Sequence, residues 1–125
     1  MTRDQIASFL KLQPKLHITH EEISLLSKKN PNDAVNKFKV KLINGMLTEA
    51  NEILGSAYKP LEDFTLFSED EIPTNSDIVF ILSPYLRSLK KLRFDNVGPN
   101  QMGEWFWKLD GKLANGLRAN SATMR

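Results

Sequence analysis

The stretch Thr74–Val97, TNSDIVFILSPYLRSLKKLRFDNV, decides how the rest of the chain must be arranged. At about 100° per residue it separates into two faces. Ile78, Val79, Ile81, Leu82, Tyr85, Leu86, Leu89 and Leu92 share one broad arc that other elements must cover. Arg87, Lys90 and Lys91 lie on the opposite arc, with Phe80 and Phe94 among them. The pattern predicts a core helix over 77–95 with one working edge. One of Thr74, Asn75, Ser76 or Asp77 caps it, and Pro84 should kink or break it. A short buried strand over Ile78–Leu82 is the competing reading.

Upstream runs a connector of opposite charge. Residues 61–77 hold six acidic side chains (Glu62, Asp63, Glu69, Asp70, Glu71 and Asp77) and no basic one. The 60 residues before it carry nine basic and six acidic groups, and the residues after it eight and three. An acidic loop thus sits between two mildly basic parts, and the plain expectation is that it lies on the basic helix faces and neutralises them. Leu61, Phe64, Leu66 and Phe67 make it too apolar for a free linker.

The N-terminal half reads as helices. Thr2 with Gln5 three residues on forms a capping-box pattern, and Pro14 should stop that helix near Leu12. Thr19 with Glu22 predicts a second start. Asn30-Pro31-Asn32-Asp33 is a turn leading into the longest helix, Asp33–Leu54, which Gly55-Ser56 ends. Its apolar arc is broad enough for two neighbours, and Asn44, Thr48 and Asn51 fall on the solvent side. Gly45 interrupts it at a cost of about 1 kcal/mol relative to alanine.

After Gly98-Pro99-Asn100, two signals conflict. Met102, Trp105, Phe106, Leu109, Leu113 and Leu117 recur at helical spacing, which predicts a final helix. Asp110-Gly111 between WFWKL and KLAN is a hairpin signal. The expected fold is therefore all-α: a bundle of four or five helices over 1–118 with an acidic connecting loop and a flexible tail, 119–125. The alternative is α+β with a C-terminal hairpin.

With 125 residues, one domain is the natural prior. The chain has no cysteine, which excludes disulfides, thiolate metal sites and cysteine nucleophiles, and a cytoplasmic protein is expected. No apolar run approaches the roughly 20 residues needed to span a bilayer, so no membrane partner is expected. His17 and His20 with Glu21 and Glu22 could offer ligands to zinc, but Ser24 stands where the zincin motif needs its second histidine. Gly111-Lys112 lacks a P-loop's lead-in, and Leu113 follows where Ser or Thr belongs. We expect neither metal nor cofactor, and an enzyme is the third reading.

Two binding surfaces are candidates. Trp105, Phe106 and Trp107 cannot all face one core, and tryptophan is enriched in binding hot spots. They mark the first reading, a small non-catalytic protein that contacts a partner protein or self-associates. Arg87, Lys90, Lys91 and Lys108 mark the second, a nucleic-acid accessory protein whose basic face neutralises phosphates.

Overall fold

In a computed structural model, residues 1–120 are described. The elements run α1 (Arg3–Lys29), α2 (Lys37–Tyr58), α3 (Asn75–Asp95), β1 (Val97–Pro99), β2 (Trp105–Leu109) and β3 (Lys112–Arg118). The three strands form one antiparallel sheet in the order β1-β2-β3. The fold is α+β, which overturns the expected all-α bundle of four or five helices.

Two sequence signals account for the correction. Pro14 does not end the first helix, which continues through it to Lys29. Its interior position costs about 3 kcal/mol. Leu12 and Leu16 on either side are fully buried, and burying two such side chains contributes about 3–6 kcal/mol. Packing wins. Thr19 then becomes an interior residue whose hydroxyl donates to the Lys15 carbonyl at 2.8 Å rather than capping a new helix.

The second signal is the turn. Asp110 has φ 49° and Gly111 φ 80°, the pair of positive angles that a tight two-residue hairpin demands. Lys112 pairs with Leu109 across it. A helix over 101–117 would have lost this turn, and the strands instead alternate their faces.

The Thr2 capping box forms as expected, the Thr19 one does not, and of the four cap candidates for α3 it is Thr74 that caps. Thr2 accepts from the Gln5 amide (3.1 Å), and its own amide donates to Gln5 Oε1 (2.8 Å). Thr74 and Asp77 exchange the same pair of bonds at 3.2 and 2.9 Å. The second helix begins later than expected, capped by Asn36, because 33–35 is engaged elsewhere. The Val35 amide donates to the Pro73 carbonyl (2.9 Å), and the Asn75 amide donates to the Asp33 carbonyl (3.0 Å). This small clasp ties the start of α3 to the segment before α2. Gly55 (φ 61°, ψ −168°) breaks the helical path near the end of α2. Pro84 lies inside α3 without ending it, and Ile78–Leu82 is helix, not strand.

α3 sits at the centre. Asn75 Nδ2 bonds the Asn30 carbonyl at 2.9 Å, and His20 meets Ser83 at 2.8 Å, so α1 runs antiparallel to α3. Tyr85 donates to Asn51 Oδ1 at 2.6 Å, and Tyr58 donates to Asp95 at 2.5 Å, so α2 runs parallel to it. The sheet closes the end where α1 begins and α3 finishes. Trp107, 2% exposed, packs edge-on to Phe9 with ring centroids 5.3 Å apart. Of the expected tail 119–125, Ala119 donates to the Trp105 carbonyl (2.9 Å) and the Asn120 carbonyl accepts from Arg93 (2.5 Å). Residues 121–125 lie outside the described residues.

Two glycines separate the helix from the turn in a test. A Cβ at Gly45 would meet nothing within 4 Å, so Gly45→Ala should stabilise by about 0.5–1 kcal/mol. Gly111→Ala should destabilise by about 1–2 kcal/mol, because L-residues resist its left-handed backbone. Urea unfolding of both variants checks the pair of signs.

Candidate interaction surface

The acidic connector is anchored inward by aromatics and pinned by α2. Phe64 packs edge-on to Phe67 (5.0 Å) and to Tyr85 of α3 (6.4 Å). Asn44 clamps Phe67 from both sides, accepting from its amide and donating to its carbonyl, each at 2.9 Å. Seven residues on, Asn51 donates to the Thr65 carbonyl at 3.1 Å. On a helical wheel both asparagines fall on the solvent side of α2. Their i, i+7 spacing on one side of α2 was the available signal, and the segment they hold is what they face.

With Phe64 and Phe67 turned inward, the charges turn outward. Glu62, Asp63, Glu69, Asp70, Glu71 and Asp77 are all exposed. Among the described residues the connector's one ion pair is Glu69 with Lys41, at 3.9 Å and with both side chains exposed. Such a contact is worth about 0–1 kcal/mol. The connector therefore does not neutralise the basic face of α3. It walls a groove of about 480 Å³ against α3, lined by Phe64, Leu66, Ile72 and Phe80 with Glu71 and Asp77. Phe80 is 74% exposed.

The remaining candidates fall in three places. Trp107 and Phe106 (9% exposed) are buried, Trp105 is half-buried against the core, and the Arg118 guanidinium lies 5.4 Å over the Phe106 ring. The aromatic trio spends most of its area inside the fold. Arg87 and Lys91 are exposed on the outer side of α3, with Lys91 bonded to Asp95 at 3.0 Å. Lys90 is half-buried in a groove with Phe9 and Pro14 of α1, and Lys108 stands on β2. Arg87 and Lys91 share the outer side of α3, and Lys91 and Lys108 both act on the Asp95 carboxylate. The Tyr58 hydroxyl, then the Lys91 ammonium, hold the Asp95 carboxyl below its usual range. A second apolar groove, about 200 Å³, runs between α1 and α2, with Leu26 and Leu42 opposite each other and charges of both signs, Glu22 and Lys39, on its walls.

The histidines are held apart. His17 pairs with Glu21 at 2.8 Å. The Ser83 hydroxyl donates to the Val79 carbonyl (2.8 Å), so His20 Nε2 must be the donor to Ser83. Among the described residues no three His, Asp or Glu side chains are grouped to hold a metal ion, and no helix is long and apolar enough to cross a membrane.

Burial first, then the neighbouring His17, lowers the pKa of His20 below 6.5, with Glu21 opposing. A depressed folded value means that the unfolded chain binds the proton more readily. The contribution is present in full above pH 6.5 and is lost as pH falls through the lowered folded value. His20→Gln keeps a donor for Ser83 and removes the titration. Its melting temperature should therefore fall less than that of the wild type between about pH 7 and pH 5. Asn44→Ala should cost about 1–3 kcal/mol by leaving Phe67 backbone groups unpaired, and amide exchange at Phe67 should accelerate.

Comparison with known proteins finds no family model that matches this chain, no similar curated protein and no similar solved structure.

Proposed function

We propose that this chain is a small non-catalytic cytoplasmic interaction protein that works by protein–protein contact, self-association included. Its contact surface is the outer side of α3 together with the groove beside it. One observation carries the reading: Phe80 stands 74% exposed at the rim of an apolar groove whose wall carboxylates, Glu71 and Asp77, meet no basic side chain among the described residues. Exposed aromatic area next to uncompensated charge is the composition of a recognition surface.

Nucleic-acid binding is the reading it displaces. Of its four cations Arg87 and Lys91 share the outer side of α3, Lys90 is half-buried beside α1, Lys91 is bonded to Asp95, and the acidic connector flanks the same helix. A phosphate backbone approaching Arg87 would meet that repulsion. The deciding measurement is the light-scattering mass at physiological salt, with and without mixed-sequence DNA and RNA. A mass unchanged by either is the expected result. A salt-sensitive complex that disappears when Arg87, Lys90 and Lys91 are replaced together by Gln would overturn the proposal.

A further inference from the structure

The outer side of α3 carries a pattern that complements itself. Asp77, Phe80, Pro84, Arg87, Lys91 and Phe94 follow one another at spacings of three or four residues, so they form a single strip. The strip lies opposite the fully buried Ile78, Leu82 and Leu89. Pro84 is half-exposed, Asp77, Arg87 and Lys91 are exposed, and Phe94 is 43% exposed. Negative charge collects at the N-terminal end, where Asp77 faces the groove with Glu71. Positive charge from Arg87 and Lys91 collects in the C-terminal half, and the exposed Asp95 at the helix end is bonded to Lys91.

We infer that the partner on this surface is a second copy of the chain, with the two α3 helices antiparallel about a twofold axis at Pro84. This rests on the protein-contact reading above and names its partner. Asp77 and Lys91 each lie seven residues from Pro84, so the axis sets each Asp77 opposite the partner's Lys91. Phe80, four residues before Pro84, meets the partner's Arg87, three after it, and a guanidinium stacks well on an aromatic face. Phe94 and Thr74 are each ten residues away. The partner's Phe94 therefore reaches the mouth of the groove, where Ile72 and Phe80 are exposed. Lys91 keeps donors for this contact beyond the one it gives Asp95. A parallel arrangement would stack Asp77 on Asp77 and Arg87 on Arg87. The charge order selects the antiparallel one, and a twofold contact of this kind closes on itself as a dimer.

The chain's lack of cysteine makes a clean test possible. Light scattering from low-micromolar to near-millimolar concentration should show mass rising from 14.3 kDa towards twice that value. Phe80→Ser and Arg87→Glu, both at exposed positions, should each weaken dimerisation at least tenfold with an unchanged circular dichroism spectrum. Under mild oxidation Pro84→Cys should form a disulfide-linked dimer, and Ser56→Cys should not. A monomer at every concentration overturns the self-pairing and leaves the protein-contact reading to its own nucleic-acid titration. A dimer indifferent to both substitutions, and cross-linked no faster at 84 than at 56, also overturns it and moves the contact to another face such as the α1–α2 groove.

Discussion

Everything in this fold is arranged to cover the inner side of α3. Ile78, Leu82, Tyr85 and Leu89 are at or near complete burial, and no single neighbour is wide enough to enclose them. Antiparallel α1 takes one flank and parallel α2 the other. The connector contributes Phe64, packed edge-on against Tyr85. Tyr85 carries a hydroxyl into this apolar seam, and its bond to Asn51 makes that burial tolerable. Asn51 in turn holds the connector. A core requirement thus reaches the surface through two hydrogen bonds.

That chain of dependence explains why the connector is ordered despite its charge. Its six carboxylates repel one another, and only one meets a lysine among the described residues. Phe64 and Phe67 packed inward, with the Asn44 clamp on the backbone, outweigh a repulsion that water screens over about 10 Å. The segment is fixed by its apolar residues and leaves its acids to the exterior. A fixed wall of negative charge with a single lysine contact among the described residues is the result.

Local chemistry with a single solution was legible in the sequence: the Thr2 capping box, a cap for α3 within Thr74–Asp77, the two-sided pattern of 77–95 and the Asp110-Gly111 turn itself. What misled was the weighing of local against non-local terms. Pro14 is a genuine local penalty, but Leu12 and Leu16 bury against elements far along the chain. Met102 to Leu117 recur at helical spacing, yet Gly103, Gly111 and Gly116 all adopt positive φ, which three glycines in a helix would forgo. The proposed contact surface was half-legible. The basic strip with Phe80 and Phe94 was visible, whereas the groove beside it requires the connector to be folded back by asparagines that look solvent-facing in a wheel. Trp105–Trp107 suggested a surface because three aromatics exceed one face. The sheet resolves this by turning Trp105 and Trp107 to the core and roofing Phe106 with Arg118.

The polarity of α3 has a cause inside the helix. Peptide dipoles leave partial positive charge at its N-terminus and partial negative charge at its C-terminus. Asp77 in the first turn and Arg93 in the last answer those ends, and Asp77 also closes the capping box. Stabilising a helix in this way orders its charges from acid to base along its axis, with Asp95 at the last residue the exception that Lys91 and Tyr58 answer. Any exposed side of such a helix then inherits a gradient of charge that an identical copy can match only by running in the opposite direction. On most helices the gradient is spent on solvent. Here Phe80 and Phe94 stand exposed on the same strip, so the proposed matching of charges would also bury aromatic area that no element of this chain covers.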